Sequence, residues 1–206
     1  MINQEQAMNY KNLHIGCLDQ VFPGWINTDI TPHIYVSKVP GLPWFLYKLK
    51  KISPERYQQY EKGIFRQIKY LNVSQKFPWS DDTFDNVYTS HMLEHLYPEE
   101  GLNCISEVFR VLKKGGVFRI VVPDLDLMID NYNSNEPEPF LAEFFEATQR
   151  RDSNQHHWHY NEKLFHKILS EVGFSKVHRC EYKKGQILDV EKIDQRPESL
   201  FIEAIK

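Results

Sequence analysis

The chain has 206 residues, a formal net charge of -3 and 26% charged residues, enough for one domain with a full core. No block of like charge marks a nucleic-acid groove, and no stretch approaches the roughly 20 apolar residues of a membrane span. Cys17, Cys104 and Cys180 are scattered and form no CxxC pair, which argues against a disulfide framework and against a thiolate zinc site. Residues 1–10 are polar and hold no apolar run, so no secretory leader is expected and the expected location is the cytoplasm.

A first strand is expected from Asn12 to Gly16 and a second over Trp25–Ile30, ended by Pro32. Only eight residues, Cys17 to Gly24, lie between them, fewer than the dozen or so of an ordinary parallel crossover. Either the crossover is one cramped turn or the strand ends lie a few residues away. Residues 33–69 are irregular, with Pro40, Gly41, Pro43 and Pro54, and Trp44–Ile52 reads as a short basic amphipathic helix, an inserted element or a lid.

Third and fourth strands follow over Ile68–Val73 and Phe84–Thr89. The clearest helix starts at Pro98 with Glu99 and Glu100 in its first turn, and Leu102, Ile105, Phe109 and Leu112 recur at helical spacing. Lys113 and Lys114 are placed in its last turn, with Gly115-Gly116 as the stop. A fifth strand covers Val117–Val122, and Phe140–Thr148 and Glu162–Val172 are further helices, the last stopped by Gly173. The closing strands, Lys176–Tyr182 and Ser199–Ile205, are about sixteen residues apart, which favours an antiparallel pair. Strands alternating with helices give an α/β doubly wound sheet, with 33–69 and 125–158 as cap or insertion segments on a single domain spanning 1–206.

Ligands of such sheets sit beyond the carboxyl ends of the strands. Gly16-Cys17 permits close backbone approach after the first strand, and the Asp29 carboxylate, closing the second, can accept from both hydroxyls of a ribose or serve as a turn residue before Pro32. Ser90, His91, Glu94 and His95 cluster where the fourth strand ends. His91-Met92-Leu93-Glu94-His95 also fits H-x-x-E-H, the inverted zinc-peptidase pattern, although that motif belongs inside a long helix and here a strand ends just before it.

Leu13-His14-Ile15-Gly16-Cys17, Gly24-Trp25-Ile26-Asn27-Thr28-Asp29, Phe77-Pro78-Trp79-Ser80-Asp81-Asp82-Thr83-Phe84-Asp85, Ser90-His91-Met92-Leu93-Glu94-His95 and Glu107–Gly116 appear in the order found in another group of proteins. Jointly they resemble a class I S-adenosylmethionine-dependent methyltransferase of the small bacterial "type 11" group, some of which are linked to surface polysaccharide synthesis. The resemblance covers most of the chain except 33–69 and about 125–155.

It implies a Rossmann-like sheet of about seven strands with the last antiparallel, S-adenosyl-L-methionine as cofactor, and methyl transfer to a small-molecule or saccharide acceptor by a monomer or homodimer. Gly16 and Cys17 would face the methionine half of the cofactor, Asp29 with Ile30 the ribose, Asn72 and Val73 the adenine, and Ser90 and His91 the floor beside the sulfonium. His91 and His95 are the candidate catalytic bases, with His156-His157-Trp158-His159-Tyr160 as a further source, and Asp124 and Asp126 could position an acceptor.

Two positions depart from the family pattern. Leu18 stands where a second glycine is usual and His14 where an acidic residue is common. A side chain at Leu18 that pushed the loop away would leave a binding protein of methyltransferase fold without chemistry. The zinc-peptidase reading through His91, Glu94 and His95 is the more remote alternative.

Overall fold

In the computed structural model residues 11–146 and 155–206 are described, so the expectations resting on residues 1–10, on the last two residues of the expected Phe140–Thr148 helix and on 149–154 of the expected cap segment lie outside them. The described residues form a seven-stranded sheet in the order β3-β2-β1-β4-β5-β7-β6. The strands are β1 (Asn12–Ile15), β2 (Trp25–Asp29), β3 (Ile68–Tyr70), β4 (Phe84–Ser90), β5 (Leu112–Pro123), β6 (Lys176–Cys180) and β7 (Ser199–Ile205). β1 to β5 are parallel, and β7 runs antiparallel to both β5 and β6. The sheet order and the reversed last strand agree with the Rossmann-like sheet expected from the resemblance.

β1 is paired with β2 on one side and β4 on the other, and all four of its residues are buried. A strand covered on both faces must satisfy its polar side chains internally. Asn12 Oδ1 accepts from Asn86 Nδ2 at 2.8 Å, and His14 Nδ1 lies 3.3 Å from Asn27 Oδ1.

The helices are α1 (His33–Val36), α2 (Leu42–Lys48), α3 (Pro54–Glu61), α4 (Pro98–Val111), α5 (Leu125–Asp130), α6 (Glu138–Phe145), α7 (Glu162–Val172) and α8 (Val190–Ile193). One face of the sheet carries the main core, where Leu13, Ile15, Val87, Ile120 and Ile202 meet Ile105, Val108 and Val111 of α4 and Phe165 and Leu169 of α7. On the opposite face Trp25, Tyr88, Val121 and Phe201 pack with Ile187 and Ile193. A third cluster, Cys17, Ile34, Tyr60, Phe65 and Ile68, anchors the segment after β2 to the β3 edge.

Several boundaries differ from the sequence expectation. α4 ends at Val111, and Lys113 and Lys114 belong to β5. The Lys113 ammonium, 2.7 Å from Asp85 Oδ1, ties the start of β5 to β4, so this lysine serves the sheet and not a helix terminus. Leu102 is 45% exposed; the buried positions of α4 are Gly101, Cys104, Ile105, Val108 and Val111. β3 stops at Tyr70, because Asn72 turns its side chain back to accept from Ser74 N–H at 3.0 Å. α2 begins two residues before Trp44 and ends at Lys48, and β6 ends at Cys180. The connection between β1 and β2 is the cramped turn: residues 16–24 hold no helix, and Phe22 N–H donates to Asn27 Oδ1 at 3.0 Å to close it.

Candidate active site

A cavity of about 680 Å³ opens at the carboxyl edge of the sheet. Gly16 and Leu18 after β1, Asp29 and Ile30 at the end of β2, His91 to His95 after β4, and Pro123 and Asp124 at the end of β5 all contribute to it. β7 runs the other way, so its first residue, Ser199, paired with Pro123, reaches the same edge together with Arg196 and Glu198.

The Gly16 bend depends on glycine twice over. Its φ of +69° is in the left-handed region, and a Cβ there would stand 2.4 Å from Met92 Cγ. Leu18 also adopts a left-handed backbone, φ 48°, a conformation that strains an ordinary side chain and that glycine takes freely. The strain is held by Leu18 N–H donating to Asp29 Oδ2 at 2.8 Å. Leu18 is 51% exposed and lines the cavity without filling it. Thr31 N–H donates to Asp29 Oδ1 at 2.7 Å, so each carboxylate oxygen has one backbone donor and further acceptor capacity.

His91 is strained as well, with φ 49°. Its Nε2 lies 2.9 Å from Ser199 Oγ and its Nδ1 3.1 Å from Glu94 Oε1. Glu94 is wholly buried. Burial alone would push its carboxyl up, but the neighbouring His91 and His95 imidazoles outweigh that and hold it below the usual carboxylate range. His95 Nδ1 lies 3.1 Å from the Gln155 carbonyl oxygen.

Of the residues expected at the cofactor, Gly16, Asp29, Ile30 and His91 line the cavity. Cys17, Asn72, Val73 and Ser90 are not among its lining residues. The Cys17 side chain is buried against Ile34 and Phe65, and its thiol is pushed up well out of the reactive range, first by desolvation and then by the Asp29 charge. Val73 belongs to the main core, and Ser90 continues the ladder opposite Val121. The candidate bases are both present, but not on one helical face: a single 3-10 turn, Leu93–His95, follows the left-handed His91. This removes the geometry of the inverted zinc-peptidase motif, in which both histidines project from one long helix.

The later segment contributes Asp124, Leu127, Met128, Asn131, Glu143, Glu146 and His156 to the lining, whereas none of residues 33–69 does. Met92, Arg196, Glu198 and Ser199 were not anticipated. For the last three a signal existed in the expected antiparallel closing strand, whose start must lie where the parallel strands end. Met92 had none, because its contact with Gly16 is purely tertiary.

A family model for the methyltransferase domain matches residues 49–120. The fold and the carboxyl-edge cavity agree with that match. Over the matched stretch the chain resembles the class I S-adenosylmethionine-dependent methyltransferases. A sterol 24-C-methyltransferase of Aspergillus fumigatus is 33% identical over 105 residues, covering 50% of this chain and 25% of that protein. A sterol 24-C-methyltransferase of Pneumocystis carinii is 28% identical over 89 residues, covering 43% and 22% respectively. The chain thus spans about a quarter of the length of the curated relatives it matches. A SAM-dependent methyltransferase from Archaeoglobus fulgidus superposes with a TM-score of 0.58 over 96% of this chain and 86% of its own, at 16% identity, a likeness of fold. Among the described residues no helix is long and apolar enough to cross a membrane.

Proposed function

We propose that the protein transfers a methyl group from S-adenosyl-L-methionine to a small polar acceptor, a saccharide or other hydroxylated small molecule. The observation that carries this reading is Asp29, held by two backbone N–H groups at the tip of β2 with capacity to accept from a ribose. The cavity volume, about 680 Å³, lies within the range of cofactor sites. Gly16, Asp29 and Ile30 would hold the nucleoside and methionine portions. When bound, the cofactor supplies an electrophilic methyl on a sulfonium.

The chain's own work is positioning, water exclusion and removal of one proton. Leu127, Met128 and Met92 give the cavity apolar walls, while Asp124, Asn131, Glu143 and Glu146 give it polar ones. Holding reactants near contact distance accounts for much of the rate of an in-line displacement. His91 is the proposed base for a hydroxyl: the Glu94 carboxylate lies beside its Nδ1 at 3.1 Å, and Nε2 is directed at the Ser199 hydroxyl, where an acceptor O–H can replace it. The curated relatives named for sterols match half of this chain or less; the carboxylates of the lining favour an acceptor richer in hydroxyls than a sterol.

Calorimetry with S-adenosylmethionine and S-adenosylhomocysteine tests the cofactor assignment. Binding in the micromolar range is expected; no heat at millimolar ligand would remove it. A radiolabelled-methyl assay across sugar nucleotides, free saccharides and sterols tests the acceptor class. Label found only in the sterol fraction would overturn the polar-acceptor reading.

A further inference from the structure

We propose that Glu94, His95 and His156 form a binding site for one divalent transition-metal ion in the wall of the cavity. Each residue brings one ligand atom into a cluster whose atoms all lie within 4.8 Å of one another. Nitrogen and oxygen ligands held at ~2.1 Å around a tetrahedral ion stand roughly 3.4 Å apart. Small rotations of two imidazoles close that difference.

The cluster is built for a cation. Glu94 is 0% exposed, and neither of its carboxylate oxygens has a well-formed hydrogen bond among the described residues. His91 Nδ1 lies beside Oε1 but off the line a hydrogen bond needs, and Oε2 has no hydrogen-bond partner among the described residues. A carboxylate so placed calls for a positive charge. His95 offers the complementary arrangement. Its Nδ1, donating to the Gln155 carbonyl 3.1 Å away, leaves the lone pair on Nε2, which is how metal-binding histidines are commonly oriented.

His156 completes the set. The backbone N–H groups of His157 and Trp158 donate to the Glu94 carbonyl oxygen at 2.8 and 3.1 Å, clamping the segment that carries His156 onto the residue that supplies the carboxylate. His156 Nδ1 is buried and has no hydrogen-bond partner among the described residues.

Two imidazoles and one carboxylate suit zinc, manganese, iron or cobalt; magnesium and calcium prefer oxygen ligands throughout. All three residues line the cavity, so remaining coordination positions face it. Glu94 is a ligand here and not a base, and His91 lies outside the cluster, which separates this site from the peptidase pattern. The use of the ion to hold an acceptor oxygen rests on the proposed methyl transfer; the binding of the ion does not.

The test is titration of tag-free, chelator-treated protein with Co²⁺, followed by visible absorption, and with Zn²⁺, followed by calorimetry. One equivalent should bind, and His95→Ala, His156→Ala and Glu94→Gln should each weaken binding at least tenfold. His156 lies on an irregular segment, so its variant keeps the test decisive if Glu94→Gln fails to fold. His178→Ala, in the separate group formed with Cys180 and Glu203, should bind as the parent does. S-adenosylhomocysteine affinity measured on the same samples reports on the methyl-transfer reading independently. Metal bound without nucleoside would uphold the metal site and reject that reading. Nucleoside bound with no metal at millimolar concentration would overturn the metal site alone. Metal binding that survives both histidine substitutions, or that falls with His178→Ala, would overturn it too.

Discussion

The Leu18 backbone N–H donates to Asp29 Oδ2 at 2.8 Å, joining the loop after β1 to the tip of β2. One carboxylate therefore shapes the loop and, in the proposed function, would also accept from a ribose. Asp29→Ala removes both functions, and S-adenosylhomocysteine affinity should fall at least tenfold, since charge-assisted hydrogen bonds are lost. Isothermal titration checks it; unchanged affinity would take Asp29 out of the site.

Gly16→Ala should lower stability by about 1–2 kcal/mol through the left-handed backbone alone. The Cβ would also meet Met92, 2.4 Å away at Cγ and 2.8 Å at Cβ. Adding Met92→Ala should therefore recover part of the lost cofactor affinity and little of the lost stability. Denaturant midpoints and calorimetry on the single and double variants separate the two effects, and strict additivity in affinity would contradict the contact.

His14 is buried in an aromatic stack, 4.7 Å from Phe22 between ring centroids, and desolvation lowers its pKa to about 4. The unfolded chain takes up the proton near pH 6.5, the folded one only near pH 4. The folded state thus binds fewer protons in that window. Its stabilising contribution is complete above pH 6.5 and is lost as pH falls toward 4, on the order of 3 kcal/mol in all. His14→Leu should flatten the acid limb of the stability profile in urea titrations between these pH values. An unchanged slope would mean that other groups carry it.

Arg119, Asp194 and Glu203 form a fully buried ionic group between β5, β7 and the segment after β6. Arg119 Nε donates to Asp194 Oδ1 at 3.0 Å, and its Nη1 donates to the Lys184 carbonyl oxygen at 3.0 Å. Asp194→Ala leaves the guanidinium half-compensated in a dry interior and should destabilise by about 3–5 kcal/mol. Lys183 N–H loses its acceptor in the same variant. A loss below about 1 kcal/mol in chemical denaturation would show that water reaches Arg119.

The strands and α7 were legible because their apolar spacing, their Pro and Gly boundaries and their burial agree; Glu162–Val172 and Ser199–Ile205 end at the expected residues. The end of α4 was not, since Lys113-Lys114 has the charge of a helix terminus while its partner, Asp85, lies on another strand. Asp29 and Gly16 could be found because a parallel strand announces its own carboxyl end. Cys17 and Val73 are absent from the lining for a related reason: the chain position next to a cavity does not say on which side of the backbone a side chain falls. The Glu94 and His156 pairing spans 62 positions by residue number and is made by backbone hydrogen bonds, which no side-chain pattern encodes.

The helix-free passage from β1 to β2 has an electrostatic corollary. In many nucleotide-binding sheets a helix begins there and offers the partial positive charge of its amino end to an anionic ligand. This molecule lacks that source among its described residues. Compensation for a ligand's carboxylate must then come from a side chain, and Arg196 is the permanently cationic residue among those lining the cavity. In the proposed function, the segment that leads into the reversed strand would supply from the far rim the field that a helix after β1 would have supplied from the near one.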